Sequence, residues 1–205
     1  NFVRMKRDTR IVSIKGEPMV IYEAPECISD DIVKYNDFWE FEIFKNWTPY
    51  FKDVKFMLDL GANIGSHCVQ FKHYFPHVEI WAFELDHNNF SLLQQNTKRY
   101  PDVHCFNVGV GSRTSIVQYN DGHESNAGVV RIAGNGANYN IVMALDNLFI
   151  PKHLDFIKID IEGHELSAFE GMINILKTHK PMIWMEDITP DKLGLHYLQN
   201  LGYNL

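Results

Sequence analysis

The strongest constraint in this sequence is a regular alternation of strand-like and helix-like segments that begins at residue 54. Short apolar segments such as VKFMLDL (54–60) and VEIWAFEL (78–85) are each followed by a longer segment whose apolar residues recur at helical spacing. Alternating strands and helices form a mostly parallel sheet with right-handed crossovers. We therefore predict an α/β fold with helices on both faces of the sheet.

An Asn- and Gly-rich stretch interrupts this alternation. Residues 114–148 contain only short β-like pieces between turn residues, so we predict a β-rich insertion that contacts the substrate. Before it, VHCFNVGV (103–110) is expected to form one strand. After it, strands at 154–161 and 181–188 are predicted, each followed by a helix.

The N-terminal segment has a different pattern. Residues 9–25 alternate around a Gly-containing turn and predict a hairpin, and residues 30–47 carry an aromatic stripe at helical spacing that is typical of a core. We expect a single domain in which residues 1–53 form a hairpin and helix cap on a core of residues 54–205. The start at Asn1 is compatible with excision from a longer chain.

The composition argues against several classes of partner. The formal net charge is −7, whereas a nucleic-acid surface needs clustered Lys and Arg, so we expect no nucleic-acid partner. No apolar run approaches the roughly 18 residues of a membrane span. Cys27, Cys68 and Cys105 are scattered and lack metal-ligand spacing, which favours a reducing compartment such as the cytoplasm.

The turn in FMLDLGANIGSHC (56–68) is the main candidate for a ligand site. In a doubly wound sheet, ligands bind beyond the carboxyl ends of the strands, and the first strand-to-helix turn usually anchors them. Gly61 and Gly65 let the backbone approach a ligand closely, although two glycines also suit a plain tight turn. Glu84 ends the next strand, where an acid can accept both hydroxyls of a ribose, so we expect a nucleoside ligand.

Two common nucleotide motifs do not fit this turn. A nicotinamide dinucleotide prefers G-x-G-x-x-G, but Asn63 occupies the middle position, and Asp59 would repel a pyrophosphate while suiting a cationic amino-acid tail. No G-K-[ST] follows, which excludes a Walker-type phosphate site.

Three separated motifs resemble those of one enzyme family. DLGANIG (59–65) resembles the first motif of class I S-adenosylmethionine-dependent methyltransferases, and FELDHNNFSLLQQN (83–96) and FIKIDIEGHELSAFEGM (156–172) are similar to segments of the FkbM-like methyltransferases. The resemblance covers roughly residues 54–203. It implies a Rossmann-like methyltransferase fold, S-adenosylmethionine as cofactor and a hydroxyl group as the usual acceptor.

The resemblance also implies a set of cofactor-binding residues. These are Asp59, Gly61, Asn63 and Gly65 at the methionine end, Glu84 at the ribose, and Leu85, Asn107 and Val108 at the adenine. Two of them have a simpler alternative, because Asn107 also suits a turn at the end of a strand and Leu85 also suits the core.

Acids at the ends of the later strands are the candidates for catalysis. Asp160 stands among the isoleucines of a strand, where a carboxylate is costly to bury without a partner or a purpose. We expect Asp160 to meet Glu186 and Asp187 beyond adjoining strand ends. Together they either bind a divalent ion, Mg²⁺ or Ca²⁺, or raise one another's pKa so that one acts as general base. The alternative is that Glu186 and Asp187 only begin a turn.

Histidines are weaker candidates. His164 has the intrinsic pKa of a base, but a histidine at the start of a helix is often only solvated. His67, His73 and His77 lie on or just after one predicted helix, and we expect a solvated surface there rather than a metal site.

The leading functional hypothesis is an O-methyltransferase that transfers a methyl group from S-adenosylmethionine to a hydroxyl, and we expect that hydroxyl to belong to a sugar of a glycan. The sugar rests on the FkbM resemblance, the acidic charge and aromatic residues suited to stacking. The alternatives are a nicotinamide-dependent oxidoreductase and a methyltransferase fold that only binds a partner.

Overall fold

The computed structural model describes residues 7–23, 25–121, 125–148, 152–186 and 189–204. A short 3-10 helix, Leu145–Asn147, lies within the insertion. The strands and α-helices follow in the order β1 (Thr9–Ile14), β2 (Glu17–Tyr22), α1 (Cys27–Tyr35), α2 (Phe41–Phe51), β3 (Phe56–Leu60), α3 (Ser66–Tyr74), β4 (Glu79–Phe83), α4 (His87–Thr97), β5 (Val103–Phe106), β6 (Gly109–Val110), β7 (Ser115–Asn120), β8 (Arg131–Ile132), β9 (Asn138–Met143), β10 (Phe156–Ile159), α5 (Glu165–Glu170), α6 (Ile173–His179), β11 (Met182–Met185) and α7 (Leu193–Asn200).

A parallel five-stranded sheet with the order β11-β10-β3-β4-β5 forms the centre of the molecule. Every residue of β3 is buried, because helices cover both faces of the sheet. Phe56, Leu58 and Leu60 point into a core shared with α5, α6 and α7. Met57 points into the opposite core, shared with α2 and α3. The predicted α/β fold with a mostly parallel sheet is confirmed.

The N-terminal segment packs on α3 and α4. Strands β1 and β2 form the predicted antiparallel hairpin, and their apolar side chains share a core with Val69 of α3 and Leu92 of α4. Cys68 and Phe71 of α3 pack in the other core with the central sheet and α2, so the first seven residues of α3 are all buried. The helix after the first turn is therefore an internal element rather than a surface one.

The helical spacing predicted over residues 30–47 belongs to two helices rather than one. Asn36 and Glu40 both have left-handed backbones, with φ of 50° and 56°, and they separate α1 from α2. Phe38 between them is buried with 1% of its surface exposed. Burial of this aromatic side chain bends the chain at a point where the helical spacing continues without a break.

The predicted β-rich insertion forms a second sheet of four strands with the order β6-β9-β7-β8. The single strand predicted over residues 103–110 is wrong, because β5 belongs to the parallel sheet and β6 to the second sheet. The single helix predicted after the strand at 154–161 is also wrong, because α5 and α6 follow that strand as two helices. The carboxylate of Asp146 accepts hydrogen bonds from the N–H groups of Asn174 and Ile175, so it caps α6 as a new helix. None of the helices in the described ranges is long and apolar enough to cross a membrane.

The turn after β3 joins three strand ends through Gly61. Its N–H donates to the carbonyl of Phe83 at the end of β4 over 2.9 Å. Its φ is +81°, and a Cβ added at this residue would lie 1.8 Å from the carbonyl oxygen of Asp160, just beyond β10. Only glycine combines this backbone conformation with such a close approach.

Replacing Gly61 tests how much this approach stabilises the fold. Gly16 is a matched control because its φ is +88° but a Cβ there would meet nothing within 4 Å. We expect Gly16→Ala to lower the free energy of unfolding by about 1 kcal/mol through backbone strain alone. Gly61→Ala should lose about 1–3 kcal/mol more through overpacking. Urea unfolding measures the free energy of unfolding of both variants. Equal losses in the two variants would contradict a stabilising role for the close approach at Gly61.

Candidate active site

A cavity opens at the carboxyl ends of β3, β4, β10 and β11. The turn after β3, the first turn of α3 and the residues after β4 and β10 line it, and residues of the insertion and the N-terminal segment cover it. Eight of the predicted site residues lie in its wall: Gly61, Asn63, Glu84, Leu85, Val108, Asp160, His164 and Glu186. Parallel strands explain this, because their carboxyl ends reach the same edge of the sheet.

Glu84 organises one end of the cavity. It directly follows β4, is only 5% exposed, and accepts hydrogen bonds of 2.7 Å from the N–H groups of both Asn63 and Asp86. Asn63 has a φ of 51°, which turns its N–H towards the carboxylate. Burial raises the pKa of Glu84 to about 8. The two N–H bonds leave further lone pairs of this carboxylate for a ligand.

Asn107 and Leu85 lie beside Glu84 but in different positions. The Asn107 Nδ2 donates to the carbonyl of Glu84 over 2.8 Å, and the Asn140 Nδ2 of the insertion donates to the carbonyl of Leu85 over 2.6 Å. The wall of the cavity contains Leu85 and Val108 but not Asn107. Asn107 therefore contacts the loop after β4 through the backbone carbonyls of Glu84 and Leu85.

Asp59 lies behind the cavity wall rather than in it. It is fully buried, its Oδ2 accepts a hydrogen bond from the Cys68 thiol at 3.3 Å, and its Oδ1 lies 3.8 Å from the Nζ of Lys158. Gly65 also lies outside the wall and precedes α3 with a φ of +84°. The structure thus places the predicted methionine-end residues in two layers.

Lys158 connects the buried layer to the cavity. Its Nζ is 3.8 Å from Asp59 Oδ1 and 3.7 Å from Asp160 Oδ2, and it lines the cavity wall. Burial lowers the pKa of Lys158, but the carboxylates of Asp160, Asp59 and Glu40 together raise it above its ordinary value. Lys158 is therefore a buried ammonium group that holds two carboxylates.

The acids after β10 and β11 form the other end of the cavity. Asp160, Glu162 and Glu186 all line the wall. Burial and then the charge of Asp160 raise the pKa of both Glu162 and Glu186. His164, in the same wall, has a pKa lowered by burial, which favours the neutral form of its ring.

The divalent-ion alternative has no support in the described part of the chain. Asp187, one of its three expected ligands, lies outside the described residues. Within those residues, no group of three or more His, Cys, Asp or Glu side chains is placed to hold a metal ion.

His67 and Glu40 belong to the site although neither was among the predicted site residues. His67 is only 5% exposed and lines the cavity, so the solvated surface expected for it is wrong, because the N-terminal segment covers α3. Its Nε2 lies 3.3 Å from Glu40 Oε2. Burial raises the pKa of Glu40, but contacts with His67 and Lys158 lower it overall. The available signal for His67 was its place two residues after Gly65, because that turn reaches the edge of the sheet at which ligands bind.

Comparison with known proteins agrees with this geometry. The family model for the methyltransferase FkbM domain matches residues 59–204, which is more than half of the chain. The chain belongs to the FkbM methyltransferase family. Membership indicates S-adenosylmethionine as the methyl donor, as the motifs predict, and it does not support the nicotinamide-dependent oxidoreductase alternative.

Two relatives describe the extent of the similarity. Hexuronic acid methyltransferase AglP from Haloferax volcanii is 28% identical over 126 residues, which cover 58% of this chain and 51% of AglP. The crystal structure of methyltransferase FkbM from Methylobacillus flagellatus KT has a TM-score of 0.51 and 26% identity, and the match covers 65% of this chain and 32% of that one. The chain thus spans about half the length of its curated relative.

Lys158 offers a test of the buried charge network. Lys158→Met leaves Asp59 buried without its cation, so we expect the free energy of unfolding to fall by about 3–5 kcal/mol. The control is Lys152→Met, because Lys152 pairs with Glu79 at the surface with 45% of its side chain exposed. That variant should lose at most about 1 kcal/mol. Urea unfolding near neutral pH compares them, and a small loss at Lys158 would contradict a structural role for this ammonium group.

Proposed function

We propose that the chain transfers a methyl group from S-adenosylmethionine to a hydroxyl of a sugar in a glycan. The observation that carries this proposal is the buried Glu84 carboxylate, which faces the cavity and holds the N–H of Asn63 in the DLGANIG turn. A ribose offers two adjacent hydroxyl donors, and a carboxylate with free lone pairs accepts both. The sugar acceptor is supported by the similarity to AglP, a hexuronic acid methyltransferase.

The residues of the cavity fit the parts of S-adenosylmethionine in order. Glu84 would accept the ribose hydroxyls, and Leu85 and Val108 supply apolar surface for the adenine. The backbone from Gly61 to Asn63 would surround the methionine end, and Asp59 would act there only through Lys158. When bound, S-adenosylmethionine supplies a methyl group attached to a cationic sulfur. The sulfur keeps the electron pair of the carbon–sulfur bond that breaks.

The acids at the other end of the cavity are suited to the acceptor. The acceptor oxygen forms a bond to the methyl carbon while the carbon–sulfur bond breaks, and the hydroxyl proton must pass to a base. Glu186 suits this role because burial and Asp160 raise its pKa. Asp160, held 3.7 Å from Lys158 Nζ, would orient the hydroxyl. The neutral ring of His164 is the alternative proton acceptor.

Calorimetric titration tests the cofactor assignment. We expect S-adenosylmethionine and its demethylated product to bind at micromolar levels, and NAD binding to be undetectable. Glu84→Ala should weaken binding by roughly 1–3 kcal/mol because charge-assisted hydrogen bonds are lost. Glu79→Ala is the matched control, because Glu79 is the first residue of the same strand, β4, and lies at the end of the strand away from the cavity. Tight NAD binding without S-adenosylmethionine binding would reject the assignment.

The protonation of Glu84 gives a second readout of the same binding. Because its pKa is about 8, the free protein carries a protonated Glu84 near neutral pH, and ribose hydroxyls favour the carboxylate. Binding should therefore release a proton, and affinity should rise with pH until it levels above that pKa. Titrations in two buffers of different ionisation enthalpy measure the release. Release of a proton by Glu84→Gln to the same extent would assign it to another group.

Asp160→Asn tests the acidic end. It keeps the shape of the side chain and removes its charge, so cofactor affinity should survive while turnover falls by roughly a hundredfold or more. Transfer of a radiolabelled methyl group to a panel of sugars measures turnover. Full activity of both Asp160→Asn and Glu186→Gln would eliminate the acidic centre. Cofactor binding without transfer to any sugar would instead favour a binding module.

A further inference from the structure

The two ends of the cavity carry very different charge. Leu85, Val108 and Val110 give the end near β4 and β6 an apolar wall with one carboxyl group, Glu84. The end near β10 and β11 is acidic, with Asp160, Glu162 and Glu186 in its wall. If Glu84 holds the ribose, the acidic end faces the acceptor.

The lysine and the arginine described at the acidic end each lie close to a carboxylate. Lys158 lies between Asp59 and Asp160, with Nζ–O distances of 3.8 Å and 3.7 Å. Arg131 from the insertion lies 3.5 Å from Glu162, between its NH2 nitrogen and Oε2.

Two histidines also line the cavity, His67 and His164. The Nε2 of His67 lies 3.3 Å from Glu40 Oε2, and burial lowers the pKa of His164, which disfavours a charge on its ring. Lys158 and Arg131, the described lysine and arginine at this end, therefore each have a carboxylate beside them.

The sum of these charges is negative. The same balance acts on Glu186: burial raises its pKa, the charges of Asp160, Glu40 and Glu162 raise it further, and Lys158 offsets them only in part. A carboxylate on the acceptor would meet the same field in a partly desolvated space. Repulsion between this carboxylate and the acids of the wall therefore disfavours a negatively charged acceptor.

The cover of the cavity adds an apolar surface. Trp39 lines the wall, and its backbone N–H donates to the Ser66 hydroxyl over 3.1 Å, which fixes it beside the first turn of α3. An aromatic ring provides a flat face for the C–H groups of a sugar ring without adding charge.

We infer that the acceptor is an uncharged sugar, and that this site rejects the corresponding uronic acid. The inference rests on the proposed function and narrows it. It also separates this chain from AglP, whose name assigns it a hexuronic acid. The negative charge around Asp160 and Glu186 selects against the acceptor carboxylate, and the engaged cations provide no counter-charge for it.

Matched acceptor pairs test the inference. The purified chain is given radiolabelled S-adenosylmethionine with nitrophenyl glycosides of neutral hexoses and with the uronide of each hexose. We expect kcat/KM for the neutral glycoside to exceed that for its uronide by at least tenfold, which corresponds to about 1.4 kcal/mol of discrimination. Equal or better use of the uronide overturns the inference while leaving the methyltransferase function intact. Transfer to neither class, with the cofactor bound, overturns the sugar assignment and the inference together.

A charge variant identifies the source of the selectivity. Glu162→Gln removes one acid and releases Arg131, so the preference for the neutral glycoside should fall severalfold, mainly through a lower KM for the uronide. Glu170→Gln is the control because Glu170 is exposed at the end of α5, and it should keep the wild-type preference. An unchanged preference in Glu162→Gln would contradict selection by charge.

Discussion

The structure depends on the close meeting of strand ends at Gly61. The turn after β3 donates its Gly61 N–H to the end of β4 and packs its Cα against the carbonyl of Asp160 after β10. This meeting fixes the residues that directly follow each parallel strand, so Glu84, Asp160 and Glu186 share one cavity although they are far apart in the chain. The active-site geometry is therefore a consequence of parallel strand packing around one glycine.

Buried charge is the second feature that organises the molecule. A carboxylate as deeply buried as Asp59 requires a counter-charge, and Lys158 supplies it from the neighbouring strand while also contacting Asp160. The contacts among Asp59, Lys158 and Asp160 offset the free-energy cost of burying Asp59 and Lys158. That network leaves the acceptor end negative and the end near β4 largely apolar, so a single cavity presents two chemically distinct surfaces to a cofactor and an acceptor.

Local sequence patterns predicted the elements that depend on local chemistry. The alternation of apolar strands and helices, the Gly61 turn and the acid after β4 all follow from strand period, backbone conformation and the known edge for ligands. The missed features depend on contacts between distant segments. Asn36 and Glu40 break a helix because Phe38 enters a core, and His67 is buried because the N-terminal segment covers α3. No residue near Asp59 in the sequence shows that it lies behind the wall.

A crystal structure with S-adenosylhomocysteine is the sharpest test of how this cavity binds its cofactor, because it locates each part of the cofactor without depending on the acceptor. We expect both ribose hydroxyls to lie within hydrogen-bond distance of the Glu84 carboxylate and the sulfur to face Asp160 and Glu186. A ribose bound away from Glu84, or an amino-acid end lying between Leu85 and Val108, would contradict this assignment of the two ends of the cavity.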